Sequence, residues 1–236
     1  MKVDLPDIKS VKSGSTNVKK ICRGSRELWP DYQKSIIIHG YITPNAVSTH
    51  KEIDLGLYPS KNTRLEMYLF NANATMGNGV TNLGLITNKI YPDNNDWRFF
   101  WTSNFYFDMA SGRANYSLRS SSYYNKMFKF ECSKTAMKIT RCSDDYLIYN
   151  GSMSVSGEYI WDRETLKLEP YHSNNGYMRW YLIRIYEGDN KIMELYPINK
   201  PDYGWCFMDN VSGNYFYNPE SPSWTYTETT EYLEIL

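Results

Sequence analysis

Apolar and polar residues alternate along much of this 236-residue chain. The clearest case lies within 178–218, where Ile183 and Ile185 alternate with Arg184 and Tyr186. A period of two residues is typical of a strand with one buried face. We therefore expect 178–218 to form strands at the centre of the fold, covered on their apolar face by a second sheet.

Turn signals divide this central segment into shorter strands. Gly188-Asp189-Asn190 contains residues that tolerate a positive φ, which predicts a hairpin returning along 192–196. Pro197 and Pro201 lack a backbone hydrogen-bond donor, so we expect the returning strand to end there. A second turn is predicted at 209–214.

The same pattern of short runs and turns continues through the rest of the chain. Asn150-Gly151 is the strongest two-residue hairpin signal. No segment keeps a helical period over twelve residues, and turns recur about every 8 to 12 residues, which predicts an all-β antiparallel sandwich or barrel. The other strand-like runs are 36–42, 52–58, 64–70, 83–90, 98–109, 114–118, 127–132, 136–141, 146–149, 153–155, 160–161, 166–168, 204–208 and 215–217.

The two ends of the chain differ from this large domain. We predict a small β segment at 1–30, a linker at 31–34, the sandwich at 35–218 and an extended arm at 219–236. Within 1–30, the runs 8–11, 18–21 and 27–29 are separated by Ser-Gly-Ser and Arg-Gly-Ser turns. Strands this short cannot bury enough surface to fold alone. The candidate anchoring residues are Val18, Ile21, Leu28 and Trp29.

Charge narrows the classes of partner. The formal net charge is +0, which argues against a general nucleic-acid binder. Residues 1–34 carry eight Lys/Arg against four Asp/Glu, leaving eighteen against twenty-two in the remainder. After Lys200 the chain has six acidic residues and no basic one, so the two ends have opposite signs. The first residues lack an apolar leader, and no run approaches the length of a membrane span. We expect synthesis in a cytoplasm without a signal peptide.

The cysteines do not indicate a metal or disulfide framework. Cys22, Cys132, Cys142 and Cys206 are scattered without a Cys-x-x-Cys pair, so we expect reduced, partly buried thiols and no zinc. The oxygen-rich segment Asp93-Asn94-Asn95-Asp96 lacks the spaced acidic ligands of a calcium loop and is interpreted as a solvated turn. No cofactor and no metal are expected.

The sequence also lacks a recognisable pattern of catalytic residues. A retaining glycosidase needs two carboxylates about 5 Å apart, which alternate residues of one strand can supply. Glu66 has no such neighbour on its own strand, and Asp144 and Asp145 would point in opposite directions. We do not expect an enzyme.

Three places resemble the concanavalin A-like, laminin-G-like sandwich modules of bacteriophage virion proteins and gut-bacterial surface proteins. The first is the strand pair Gly40-Tyr41-Ile42 and Ile53-Asp54-Leu55-Gly56, and the second is Thr63-Arg64-Leu65-Glu66. The third is the order of the terminal block: Ile183-Arg184-Ile185-Tyr186, Tyr196-Pro197 and Asp209-Asn210-Val211-Ser212-Gly213-Asn214-Tyr215. The resemblance covers about 35–218 and implies a jelly-roll sandwich.

The resemblance also implies a function. The short β-runs in 18–30 are similar to leading segments of phage tail, baseplate and fibre subunits, which tether those proteins to the particle. The resemblance thus implies a virion structural protein, in a tail, baseplate or head-fibre or decoration position. We expect other virion proteins as partners, through the N-terminal segment, and a homo-oligomer.

A carbohydrate-binding lectin module for attachment to host surface glycans is the alternative. Sugars stack on aromatic rings, and this chain is rich in tyrosine and tryptophan. Aromatics of the core or of an interface give the same composition, so both interpretations stay open. The candidate sugar-binding residues, near predicted loops or strand ends, are Trp97, Trp101, Tyr123, Tyr124 and Trp161.

Overall fold

The protein is an all-β molecule built on large antiparallel sheets. Its computed structural model describes residues 12–13, 16–17, 21–23, 26–29, 36–44, 52–71, 83–87, 97–101, 104–118, 120–155, 165–168, 178–201, 204–217 and 224–235. In this part of the chain the helical structure is one 3-10 turn, Ser121–Tyr123. The prediction of an all-β fold is confirmed.

The chain divides into two compact units. One consists of Met1–His39 with Thr230–Leu236, and the other of Gly40–Thr229. The first unit contains two hairpins, β1 (Lys12–Ser13) with β2 (Thr16–Asn17) and β3 (Ile21–Arg23) with β4 (Arg26–Trp29).

Three of the four predicted anchoring residues belong to the second of these hairpins. Ile21 of β3 is paired with Trp29 of β4, and Leu28 precedes Trp29 in the same strand. Val18 lies outside the described residues. In the sequence, the two strands of each hairpin lie before and after one predicted turn. The two hairpins have four strands in total, whereas the sequence predicted three.

Sixteen further strands are described. They are β5 (Ile36–Pro44), β6 (Ile53–Asp54), β7 (Thr63–Asn71), β8 (Leu83–Thr87), β9 (Trp97–Trp101), β10 (Phe105–Met109), β11 (Gly112–Tyr116), β12 (Lys126–Ser133), β13 (Ala136–Arg141), β14 (Tyr146–Ser152), β15 (Lys167–Leu168), β16 (Met178–Glu187), β17 (Asn190–Lys200), β18 (Gly204–Asp209), β19 (Tyr215–Phe216) and β20 (Trp224–Ile235).

These strands form a six-stranded and a ten-stranded sheet. The smaller sheet has the order β11-β10-β9-β8-β15-β6. The larger has the order β14-β13-β12-β7-β16-β17-β18-β19, with β5 paired to β16 and β20 paired to β5. Apart from the pair of β5 and β20, all of these strand pairs are antiparallel, the direction that short turns between consecutive strands favour. The segment 178–218 supplies β16 to β19, beside β7 in the larger sheet.

The apolar faces of the two sheets share one core. Phe99 and Phe105 of the smaller sheet contact Phe130 of the larger sheet, with ring centroids 5.3 Å and 4.7 Å apart. All three side chains are fully buried. Ring pairs at these distances contribute packing energy beyond the area they bury. The larger unit therefore has a sandwich-like arrangement, with polar residues on the outer faces.

The Asn150-Gly151 hairpin prediction was wrong. Both residues lie inside β14, where Asn150 is opposite Lys138 and Gly151 is opposite Met137. The chain reverses earlier, at 142–145, with Asp145 at a φ of 52°, a conformation that aspartate tolerates better than most residues. The segment 153–155 is accordingly not a strand.

Pro197 does not end its strand either. It lies inside β17 opposite Phe207, and β17 continues to Lys200. The pairing of β17 with β16 extends only as far as Leu195. Since Pro197 is paired on one side, its missing amide hydrogen is tolerated as it is in an edge strand.

Among the predicted runs, 98–109 and 52–58 also differ clearly from the strands of the structure. The run 98–109 is two strands, β9 and β10, which pair with each other through Trp101 and Phe105. Of the run 52–58, only Ile53–Asp54 is a strand. Asp54 there accepts a hydrogen bond from the Gly56 amide, and Gly56 has a φ of 64°, which interrupts the ladder.

Candidate functional site

A row of charged side chains crosses the outer face of the larger sheet. Arg184 of β16 is opposite Glu194 of β17 on one side and Glu66 of β7 on the other. Glu66 is in turn opposite Glu131 of β12, which is opposite Lys138 of β13. Their sequence neighbours are core residues, so alternation places this row on the outer face. Five neighbouring strands thus contribute one charged residue each.

The Arg184 end of the row is buried. The Arg184 side chain is 9% exposed and that of Glu194 is 1% exposed. Arg184 Nε donates to Glu194 Oε1 at 2.8 Å, and Arg184 Nη1 donates to Glu66 Oε1 at 2.7 Å. A buried charge costs several kcal/mol unless it is paired and hydrogen-bonded. Here the guanidinium meets both requirements through two carboxylates.

Glu194 has further partners from its own strand, β17, and from the turn at 209–214. Lys191 Nζ donates to Glu194 Oε1 at 2.6 Å, and Asn210 Nδ2 donates to Glu194 Oε2 at 2.8 Å. Burial disfavours the ionised form, but these hydrogen bonds and that from Arg184 lower the pKa of Glu194 below its ordinary value. Glu194 is therefore ionised at neutral pH.

The turn at 209–214 is held by one buried carboxylate. Asp209 accepts from the amides of Glu194, Val211 and Ser212, and from the Ser212 hydroxyl at 2.5 Å. An aspartate that binds amides two and three residues ahead is an Asx turn. This turn brings the Asn210 side chain to Glu194. The sequence pattern predicted the turn at 209–214 but not this contact.

Two carboxylates lie side by side in the middle of the row. Glu66 and Glu131 are direct cross-strand partners. Lys129 Nζ lies 3.3 Å from Glu66 Oε2 and 3.5 Å from Glu131 Oε1. Burial lowers the pKa of the Lys129 amine, and the two carboxylates raise it further than burial lowers it, so its net pKa is above the ordinary value. Glu66 has no acidic neighbour on its own strand, as the sequence indicated, but it does have one, Glu131, on the adjacent strand β12.

Three loops meet at the end of the sheet next to this row. Glu187 accepts from the hydroxyls of Ser60 and Thr63 at 2.5 Å and 2.9 Å. The Gly188 amide donates to the carbonyl of Asn62, and Lys134 Nζ donates to the Asn62 side-chain oxygen at 3.3 Å. The loops 59–62, 133–135 and 188–189 are thereby fixed to one another.

A cleft of about 510 Å³ opens between these loops and the charged row. Its charged lining includes Lys61, Lys134, Lys138, Arg64, Glu131 and Asp189. Hydroxyl and amide groups come from the loops, and one aromatic side chain, Tyr186, lies along it. A volume in this range suits a small ligand or part of a polymer chain.

Tyr186 is held in place by a stacked arginine. The Arg64 guanidinium lies over the Tyr186 ring, 5.0 Å from its centroid, and donates from Nε to the Gly188 carbonyl at 2.7 Å. Burial and the nearby Glu66 carboxylate raise the pKa of the Tyr186 hydroxyl. The hydroxyl therefore stays protonated and can donate a hydrogen bond into the cleft.

Trp97, one of the five predicted sugar-binding residues, lies in the core. Its side chain is 0% exposed and contacts Phe107 edge-on at a centroid distance of 5.3 Å. A fully buried ring has no face available for a sugar, so this structure does not support a binding role for Trp97. Trp97 is therefore a core aromatic, which is the alternative explanation for the high content of aromatic residues.

Tyr123 belongs to a cluster of tyrosines at one edge of the sandwich. Its hydroxyl lies 3.0 Å from that of Tyr116, whose ring lies 4.7 Å from that of Tyr149. The hydrogen bond with Tyr123, together with burial, raises the pKa of Tyr116 to about 12. Tyr124, the next residue, is half-buried. These residues are not part of the cleft.

The other predicted sites are less fully described. Trp101 ends β9 opposite Phe105. Trp161 and the oxygen-rich segment 93–96 lie outside the described residues. Within the described residues, no group of three or more His, Cys, Asp or Glu side chains is arranged to hold a metal ion.

The cysteines of the larger unit are free thiols. Cys132 and Cys206 are buried, and Cys142 is half-buried. Burial raises the pKa of the Cys142 thiol to about 12. A thiol with so high a pKa is a poor nucleophile at neutral pH.

Alternation was the signal that could have located the cleft from sequence. Arg64-x-Glu66, Lys129-x-Glu131 and Arg184-x-Tyr186 each place two polar residues on one face of a strand whose other face is apolar. Two of these pairs lie within the segments of the family resemblance. What the sequence does not contain is the register that aligns them.

A scan against models of known protein families finds no match to this chain, and a search of curated proteins also finds none. The resemblance to concanavalin A-like modules therefore stays a prediction. In the part of the chain that the structure describes, no helix is both long and apolar enough to cross a membrane.

Proposed function

We propose that the protein is a structural subunit of a bacteriophage virion that displays a concanavalin A-like jelly-roll sandwich and docks through its N-terminal segment. In this proposal the subunit belongs to a tail, a baseplate, or a head fibre or decoration. It is made in the host cytoplasm, contacts other virion proteins and forms a homo-oligomer.

The division of the chain into two units is the observation that carries the proposal. The strands β1 to β4 are two to four residues long and form isolated hairpins. A two-stranded hairpin is at best marginally stable in water. The surplus of basic residues in 1–34 favours a partner surface that carries negative charge. Both properties suit a docking segment.

Deletion of residues 1–34 tests the docking role. We expect the shortened chain to give a β-type circular dichroism spectrum and a cooperative unfolding transition, but to be missing from particles purified from the infected host. Full-length Leu28→Asp and Trp29→Ala variants check that the loss is not caused by shortening the chain. A folded deletion variant that still enters particles at the parent level would overturn the proposal.

Carbohydrate binding is the second candidate function, and the cleft favours it. Hydroxyl, amide and charged groups line the cleft beside the fixed Tyr186 ring. Sugars are bound by such a combination of stacking and hydrogen bonds. In this candidate, the displayed sandwich attaches the particle to host surface glycans.

Glycan-array binding by the full chain tests this candidate. We expect binding to be lost in Tyr186→Ala and retained in Tyr146→Ala, a matched tyrosine that is 60% exposed and outside the cleft. Loss in Tyr146→Ala with retention in Tyr186→Ala would move the site from the cleft to the surface around Tyr146. Release of reducing sugar from the bound glycans would instead indicate an enzyme.

A further inference from the structure

The acidic side chains of the cleft are already paired with basic ones. Glu66 is bound by Arg184 and Lys129, and Glu131 is bound by Lys129. Asp189 lies 3.3 Å from Arg64 Nη2. The carboxylates of the cleft therefore leave little negative charge uncompensated.

Three lysines at the mouth of the cleft, unlike its carboxylates, have no oppositely charged partner among the described residues. Lys61, Lys134 and Lys138 are exposed and line the cleft. Within the described residues none of them forms an ion pair, and Lys134 donates only to the neutral side chain of Asn62. Their positive charges are available to a ligand.

We propose that the cleft binds an anionic saccharide. The three lysines would contact its carboxylate or ester anions, and Tyr186 with the Asn62, Ser133 and Thr135 side chains would contact its hydroxyls and ring faces. This inference rests on the second candidate function and names the class of sugar for the same cleft.

The polar character of the cleft favours a saccharide over an acidic peptide. Its lining side chains are mainly charged or hydroxyl-bearing, and two of its apolar residues, Leu65 and Cys132, are buried in the core, so their side chains form no apolar pocket for a peptide side chain. A saccharide exposes several hydroxyl groups per ring, which such a lining can hydrogen-bond. The ammonium groups act as point charges and accept carboxylate and sulfate alike.

Calorimetric titration of the full chain tests the proposal with four probes. They are an oligogalacturonate hexasaccharide, a sulfated hexasaccharide of the heparin type, neutral maltohexaose and hexaglutamate. The first two separate carboxylate from sulfate, the third removes the charge, and the fourth keeps the charge without the sugar. We expect the acidic saccharides to bind about ten- to hundred-fold more tightly than maltohexaose, the range expected if three exposed ion pairs of about two- to five-fold each combine.

The triple variant Lys61→Gln/Lys134→Gln/Lys138→Gln carries the residue-level test. We expect it to bind the acidic saccharides about ten- to hundred-fold more weakly, and each single variant about two- to five-fold more weakly. Lys126→Gln is the control for the loss of one lysine elsewhere, because the half-buried Lys126 lies on β12 at the Asn71 end, away from the cleft. Its affinity should equal that of the parent, and all variants should keep the parent melting temperature.

Salt gives an independent readout. Raising the salt from about 0.1 M to about 1 M shortens the Debye length from about 10 Å to about 3 Å. Binding of the acidic saccharides should weaken in the parent and change less in the triple variant.

The other outcomes would contradict the anionic class, the choice of a saccharide, or carbohydrate binding as a whole. Equal binding of maltohexaose and the acidic saccharides, or full binding by the triple variant, would overturn the anionic class and leave carbohydrate binding in place. Equal binding of hexaglutamate would overturn the choice of saccharide. No binding of any saccharide would overturn carbohydrate binding itself, while particle incorporation would still test the structural role.

Discussion

Glu66 and Glu131 are direct partners across β7 and β12, and one ammonium group, Lys129 Nζ, lies within 3.5 Å of a carboxylate oxygen of each. Like charges directly opposite each other destabilise a sheet. The lysine between them offsets that repulsion, and Arg184 binds Glu66 from the other side. The centre of the charged row thus depends on one residue that projects from the same strand as Glu131.

Removing Lys129 should expose the repulsion between the two carboxylates. Because the Lys129 side chain is 28% exposed, we expect Lys129→Met to lower the free energy of unfolding by only about 1–2 kcal/mol. Urea unfolding measures the loss. The double variant Lys129→Met/Glu131→Gln, which removes one of the opposed charges, should recover part of it. A double variant no more stable than Lys129→Met would show that the two carboxylates do not repel.

Arg184 should be far more important for stability than Arg64, although both project from the same face. The Arg184 side chain is 9% exposed and its loss leaves Glu194 buried, so we expect Arg184→Met to cost about 3–5 kcal/mol. The Arg64 side chain is 43% exposed, and Arg64→Met should cost about 1 kcal/mol or less. Chemical denaturation of the two variants provides the comparison. Similar losses would contradict the buried pairing.

The lowered pKa of Glu194 predicts acid sensitivity. In the unfolded chain this carboxyl has its ordinary pKa of 4.5, and in the folded chain the pKa is lower. Below pH 4.5 the unfolded chain takes up a proton that the folded chain does not, so this contribution is complete above 4.5 and falls as the pH drops through the folded value.

Urea unfolding between about pH 3 and about pH 6 measures this dependence. The variant Glu194→Gln cannot titrate at this position. Its unfolding free energy should therefore fall less steeply below pH 4.5 than that of the parent. Parallel curves for the two proteins would show that Glu194 has the same pKa in both states.

Trp97 should behave as a core residue and not as a binding residue. We expect Trp97→Ala to lower the free energy of unfolding by about 3–5 kcal/mol, because it leaves a cavity beside Phe107. Tyr146→Ala removes an aromatic ring that is 60% exposed and should change stability by about 0.5 kcal/mol or less. Thermal unfolding followed by tryptophan fluorescence compares them. A Trp97→Ala variant as stable as the parent would contradict the placement of this ring.

Local patterns in the sequence predicted much of the fold. The hairpin of β16 and β17 reverses at Gly188, which has a φ of 60°, as its composition indicated. The hairpin prediction at Asn150-Gly151 was wrong because the chain on both sides of these residues stays paired with β13, and this pairing outweighs the local turn preference. Gly151 has another use there, since a side chain at this position would collide with the Tyr149 ring.

The candidate cleft depends on information that a single sequence does not contain. Glu66 and Glu131 are far apart in the chain, and only the register of β7 with β12 makes them neighbours. A shift of one residue would turn Glu131 toward the core and Phe130 outward. For the aromatics, composition could not separate core from surface, and Trp97 lies in the core.

Lysine labelling of intact particles, read by mass spectrometry, tests the central proposal of a docked N-terminal segment and a displayed sandwich. We expect the chain to be present in purified particles, with the lysines of 1–34 protected relative to the isolated protein. Lys61, Lys134 and Lys138 should be labelled as readily as in the isolated protein, because in the proposal the sandwich is displayed away from the docking surface. Absence of the chain from particles, or protection of these three lysines with full labelling of 1–34, would contradict the proposal.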